Sequence, residues 1–252
     1  MIKKLFIITS TIEPSDIGLT YSKVRSIFSP DERFRQTVGT ITSIHNAHPD
    51  AKIVLLDSSN DTNGLLNHLR FMPNLNVVSL KNINSEIAEI VNTNRNKSLC
   101  ECLMTNTYLK QYKKYVNEFD FIIKVSGRYN LFNFTDYFTE ENKNKIFFKK
   151  PSCFKWGNDW DWRFHHVDLR HSQQDDYLRQ YCTVLFSFAT NHLDKLIDMN
   201  DAIIHFLKQP SMSQYDMEIL YYYLSRSFES DIIETEWSVC GWDGTSGRFM
   251  YY

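Results

Sequence analysis

A chain of 252 residues, 42% hydrophobic and 23% charged, has enough apolar surface for one large α/β domain, and its 28 Lys and Arg against 30 Asp and Glu leave a net charge of -2. That balance offers no broad cationic footprint, so nucleic acid as a partner is unsupported. Cys100, Cys102, Cys153, Cys182 and Cys240 form no CxxC pair and are odd in number, which argues against a zinc ribbon or a closed disulfide framework and suits reduced thiols in the cytoplasm.

Taken in chain order, "KLFIIT" reads as a buried first strand rather than a signal segment, and it runs straight into the polar "TSTIEPSD". In "DERFRQTVGTITSIHNAHP", Phe34, Val38, Ile41 and Ile44 recur at helical spacing, with Asp31 in the place of an N-cap. "AKIVLLDSS" is a second buried strand, "NGLLNHLRFM" a short helix and "LNVVSL" a third strand. Residues 84–118 are mostly helical with a break at "NTNRNKS", and the fourth strand, "FDFIIKVS", follows. "KIFFKK" is a fifth strand, residues 151–176 form a long irregular loop, and "YCTVLFSFA" is again extended. Two helices, "NHLDKLIDMNDAIIHFLKQ" and "SQYDMEILYYYLSRSF", precede a tail in which "DGTSG" turns between extended pieces. Solid apolar strands alternating with helices predict a mainly parallel sheet flanked by helices, Rossmann-like, with ligands gathered at the carboxyl ends of the strands. No segment approaches the roughly 20 apolar residues of a membrane span.

Motif absences narrow the chemistry. No GxGxxG follows the first strand, and neither GxxxxGK[ST] nor GxSxG occurs, which disfavours dinucleotide oxidoreductases, P-loop NTPases and elbow hydrolases. His165 and His166 are adjacent and point apart on any regular element, so no zinc pattern emerges. Asp159 and Asp161 spell Asp-x-Asp in "NDWDW", but two carboxylates in an irregular loop are a thin basis for a hard cation, and no metal or other cofactor is expected.

"KVSGRY" has two readings. Lys and Arg can mark the exposed end of a strand with glycine making the turn. Equally, Gly127 can let a ligand approach the backbone, Ser126 can offer a hydroxyl, and Lys124 with Arg128 can neutralise a diphosphate. In "ERFRQT", Arg33 and Arg35 stand near a helix start, against the dipole, where a phosphate or a neighbouring acid would compensate them.

The series strand-TST, "ERFRQTVGTITSI", strand-DSS, "NKSLCE" and "FDFIIKVSGRYNL" resembles nucleotide-sugar glycosyltransferases of the GT-A type in which related chains carry a K-x-SGRY element. The resemblance implies one glycosyltransferase-like domain over residues 1–252, with a nucleotide-sugar-binding part in 1–130 and an acceptor and catalytic part in 131–252. It implies a nucleotide-sugar donor, a glycan or other hydroxyl-bearing acceptor, and a place in polysaccharide biosynthesis. The nucleoside would lie on Thr9, Ser10, Thr11 and Asp57, and the diphosphate on Lys124, Ser126, Gly127, Arg128 and Tyr129, joined by Arg33, Arg35, Lys97, Ser98 and Arg248. GT-A enzymes usually carry Asp-x-Asp after this strand to hold a divalent cation; this chain has Ser-Gly-Arg there, so its cations would replace the metal. Lys97 and Glu101, one helical turn apart, can also simply pair with each other.

Transfer requires leaving-group charge to be neutralised and, for inversion, a base beside the acceptor. Asp176, with Asp175 beside it, and Glu218 are the candidate acids, and Arg128 is counted with them as catalytic. Trp156, Trp160, Trp162 and Trp242 are candidate acceptor platforms, although tryptophans more commonly anchor loops to a core. The rival readings are a sugar transferase acting on modified bases of DNA, a non-catalytic nucleotide-sugar or glycan binder, and a nucleotidyltransferase lacking the usual metal-holding carboxylates.

Overall fold

The computed structural model describes residues 2–132, 134–155, 177–210 and 215–252. In chain order the elements are β1 (Lys4–Ser10), α1 (Pro30–Ala47), β2 (Lys52–Asp57), α2 (Leu65–Leu69), β3 (Leu75–Ser79), α3 (Leu80–Ile83), α4 (Ser85–Thr93), α5 (Lys97–Gln111), α6 (Lys113–Val116), β4 (Phe121–Ser126) and β5 (Tyr129–Phe132). They continue with β6 (Ile146–Lys149), β7 (Ser152–Lys155), β8 (Tyr177–Gln180), β9 (Leu185–Ala189), α7 (Leu193–Leu207), α8 (Met217–Ser225), β10 (Ile232–Thr235), β11 (Ser238–Trp242) and β12 (Phe249–Tyr251).

Among the described residues a seven-stranded sheet runs in the order β10-β6-β9-β4-β1-β2-β3. Strands β4, β1, β2 and β3 are parallel, β10 is parallel to β6, and β9 alone runs antiparallel to both its neighbours. Because side chains alternate along a strand, β1 feeds two cores. Leu5 and Ile7 meet α5, α7 and α8 on one face, while Phe6 and Ile8 meet Ile41 and Ile44 of α1 and Trp237 on the other. A smaller antiparallel sheet, β12-β11-β5, packs beside α1, with β5 leaving the end of β4 through the two-residue turn Gly127-Arg128.

Several local expectations are corrected. The N-cap of α1 is Ser29, not Asp31: Ser29 Oγ accepts from Glu32 N, the Glu32 carboxylate accepts from Ser29 N at 2.8 Å, and Pro30 occupies the first turn. The extended segment expected at 181–189 begins at Leu185, preceded by the separate strand β8, which pairs with β7. Strand β7 itself lies within what reads as loop.

Candidate functional site

Parallel strands β1, β2 and β4 all end on the same edge of the sheet, and there a cavity opens. It draws Thr9, Ser10 and Thr11 from the end of β1, Ser126, Gly127, Arg128 and Tyr129 from the β4–β5 turn, Lys97, Cys100, Glu101 and Met104 from the start of α5, Thr183 and Val184 from the approach to β9, and Glu218 from the start of α8. The loop after β1 closes it with Pro14, Leu19 and Arg25, and Arg33 comes from α1.

The β4–β5 turn is tight against β1. Gly127 N donates to Thr9 O at 2.9 Å, and a Cβ on Gly127 would stand 3.0 Å from that oxygen and 3.1 Å from Ser10 Cβ, so a side chain there would force the two strand ends apart. Arg128 follows, half-buried, and its guanidinium makes no hydrogen bond or ion pair among the described residues. It lies against Gly244 in the β11–β12 turn.

Arg33 is buried, yet among the described residues its guanidinium bonds only neutral acceptors, Nε to Thr11 O at 2.6 Å and Nη1 to Ser26 Oγ at 3.1 Å. Burial, followed by the repulsion of Arg128 and Arg25, lowers its pKa to about 9 against the opposing pull of Asp57. Arg25 likewise spends its guanidinium on the carbonyls of Ile17, Val91 and Asn94, which staples the loop after β1 to the C-terminal end of α4. Three arginines thus line one cavity with no carboxylate of the described residues in hydrogen-bond contact, an arrangement that favours an anion.

Two acids, Glu101 and Glu218, line the same cavity. Glu101 Oε1 accepts from Lys124 Nζ, from Ser126 Oγ at 2.9 Å and from Thr9 Oγ1 at 3.2 Å. Burial would raise the Glu101 pKa, but Lys124 and Lys97 hold it down at about 2. Lys124 also donates to Thr183 O at 2.8 Å and is 2% exposed. Thr183 Oγ1 in turn donates to Glu218 Oε1 at 2.7 Å. Burial, then the charge of Asp216, raises the Glu218 pKa, with Thr183 and Lys97 opposing. At the rim, Lys97 has a raised pKa despite burial and Arg128, because Tyr21, Glu101 and Glu218 outweigh them.

The structure brings together Thr9, Ser10, Thr11, Arg33, Lys97, Ser126, Gly127, Arg128, Tyr129 and Glu218 around the cavity. Lys124 lies beneath it, committed to Glu101 rather than open to a ligand. Asp57 is fully buried and accepts from the amides of Ile12 and Ser59 at 3.0 and 2.8 Å, so it shapes the loop rather than lining the cavity. Ser98 receives the amide of Met217 at 3.2 Å and caps α8. Arg35 is exposed outside the lining, since two residues along a helix turn a side chain roughly 200° away from Arg33. Arg248 is also exposed and outside the lining. Trp242 stands on the outer face of the small sheet against Phe28 and Phe249. Asp176, Trp156, Trp160 and Trp162, with Asp159, Asp161 and Asp175, lie outside the described residues.

Arg25, Glu101 and Thr183 enter the site without having been expected there. Glu101 carried a signal in "SLCECLM", an acid within an apolar helical face. Among the described residues no cluster of three or more His, Cys, Asp or Glu is placed to hold a metal ion. At the end of β4 itself stand Ser126, Gly127 and Arg128, with no carboxylate among the three.

The mainly parallel sheet flanked by helices, with a cavity at its carboxyl edge, is a GT-A-like architecture. Among solved structures the chain is similar to an active-site mutant of LgtC, a GT-A glycosyltransferase, with a TM-score of 0.51 and 12% identity over 92% of this chain and 72% of that one. No family model and no curated protein matches the chain in sequence. No described helix is long and apolar enough to cross a membrane.

Proposed function

We propose that the cavity binds a nucleotide-sugar donor and transfers its sugar to a hydroxyl of a glycan or another acceptor, with arginines of the chain taking the charge that a divalent metal carries in related enzymes. The observation that carries this reading is the arginine wall, in which buried Arg33 stands within reach of Arg25 and Arg128 with no carboxylate of the described residues in hydrogen-bond contact. A departing diphosphate develops its charge where these guanidinium groups stand, and a preorganised cation stabilises that charge without reorganisation. Pro14, Leu19, Val91, Cys100 and Met104 give the same cavity an apolar side suited to a nucleoside.

Glu218 is the acceptor's base in this scheme. Its raised pKa brings it toward the operating pH, which is the condition for efficient proton transfer. The test is release of nucleoside diphosphate from a panel of nucleotide sugars in EDTA, with a mixed oligosaccharide acceptor pool. Wild type releases product from at least one donor, Glu218→Gln loses about 100-fold or more in rate, and the acidic limb of the wild-type profile lies above the ordinary carboxylate range. Release that depends on added metal, or a Glu218→Gln enzyme at full rate, contradicts the proposal.

A further inference from the structure

Arg25, Arg33 and Arg128 all line the cavity, and Arg33 lies within electrostatic reach of the other two, whose repulsion adds to burial in lowering its pKa. Glu101 and Glu218 line the cavity as well and are joined to each other by a short chain of bonds: Lys124 Nζ bridges Glu101 Oε1 to Thr183 O, and Thr183 Oγ1 continues to Glu218 Oε1. In both carboxylates the internal bonds fall on Oε1 alone, three on Glu101 and one on Glu218, leaving each Oε2 without a partner among the described residues.

Carboxylate oxygens fixed from behind are acceptors for hydroxyl donors, and such charge-assisted bonds are among the stronger polar contacts. Resting on the nucleotide-sugar reading, we infer that Glu101 and Glu218 form the sugar end of the site and select a neutral, hydroxyl-rich sugar over a uronic or other acidic one. The arginine wall sets the direction: phosphates lie toward Arg33 and Arg128, and the pyranose lies over the two glutamates. A carboxylate on the sugar would then meet Glu101, whose charge Lys124 keeps in place.

The two lysines nearby do not reverse this preference. Lys124 is 2% exposed and spends its donors on Glu101, Ser126 and Thr183. Lys97 lines the cavity within electrostatic reach of Glu101, Glu218 and Tyr21 as well as of Arg128, one cation set against two carboxylates, so it offsets part of their charge without cancelling it. A like charge placed at contact costs enough to separate the two donor classes by at least about 100-fold.

The experiment compares matched donors sharing one nucleoside, UDP-glucose against UDP-glucuronate and GDP-mannose against GDP-mannuronate, with free UDP and GDP alongside, by calorimetry in EDTA. In the pair whose nucleoside binds, the neutral sugar nucleotide binds at least about 100-fold tighter than the acidic one. In Glu101→Gln that ratio shrinks about tenfold or more while the free nucleoside diphosphate is not weakened. Glu218→Gln, which leaves Lys124 paired, narrows the ratio as well and covers the case in which Glu101→Gln fails to fold. An acidic donor that binds as well as its neutral twin, or ratios unmoved in both variants, overturns the inference while the donor reading stands. Failure of every nucleoside diphosphate to bind overturns the donor reading, and this inference with it.

Discussion

Gly244 leaves space that the guanidinium of Arg128 fills: a Cβ at residue 244 would stand 1.7 Å from Arg128 Nη1. The side chain of Arg128 is flexible at that end, and the backbone of Gly244 is not in the left-handed region, so the fold tolerates a methyl group and the arginine gives way. Gly244→Ala is therefore expected to keep its melting temperature and to lose about tenfold or more in affinity for a nucleoside diphosphate, the weight of one charge-assisted contact. Affinity equal to wild type would show that the guanidinium does not work from this position. At this scale the sequence disclosed the position of Arg128 at the strand end but not the burial of Lys124. Both stand in "KVSGRY", but β4 runs between β1 and β9, so Lys124 points inside the protein and needs a counter-charge. The residue that supplies it is 23 positions away on α5, a separation that no local pattern discloses.

Elements carry the next layer, and α1 shows it at both ends. Its start is fixed by the Ser29 and Glu32 capping box, which delivers Arg33 to Thr11 and leaves Arg35 in solvent. At its end His48 folds back among Phe6, Phe134 and Phe138, with Lys4 Nζ 3.2 Å from its Nδ1. Burial, followed by the charge of Lys4, lowers the His48 pKa to about 4 despite Asp136. An unfolded imidazole titrates near pH 6.5, so the fold favours the neutral ring. Its contribution is complete above that value and is lost as pH falls from 6.5 toward 4, at a slope of at most about 1.4 kcal/mol per pH unit. The melting temperature of wild type is thus expected to drop more steeply than that of His48→Gln between pH 7 and pH 4.5; parallel curves would contradict the assignment. Strand and helix order was legible because buried runs and helical spacing are local. The cap was misplaced because "SPDE" offers both Ser29 and Asp31, and Pro30, whose ring suits a first helical position, decides for Ser29.

For the whole molecule, the parallel order β4-β1-β2-β3 collects at one edge the polar ends of strands that are distant in sequence. That much follows from βαβ connectivity, which is why Thr9, Ser126 and Arg128 were foreseeable together. Part of the closing side was not, because Thr183 and Arg25 arrive from the segment before β9 and from the loop after β1, whose paths no periodicity fixes, and Glu101 is turned to the cavity by its pairing with Lys124; Glu218, on a late helix, was legible as an acid in an apolar stretch. The most direct measurement is the binding of UDP, GDP, CDP and ADP in excess EDTA to wild type, Arg128→Ala and Arg248→Ala. Wild type and Arg248→Ala should bind at least one of them with similar affinity, and Arg128→Ala should bind it about tenfold or more weakly. Binding that vanishes with the metal, or that Arg248→Ala weakens as much as Arg128→Ala does, would contradict an arginine-built phosphate site at the end of β4.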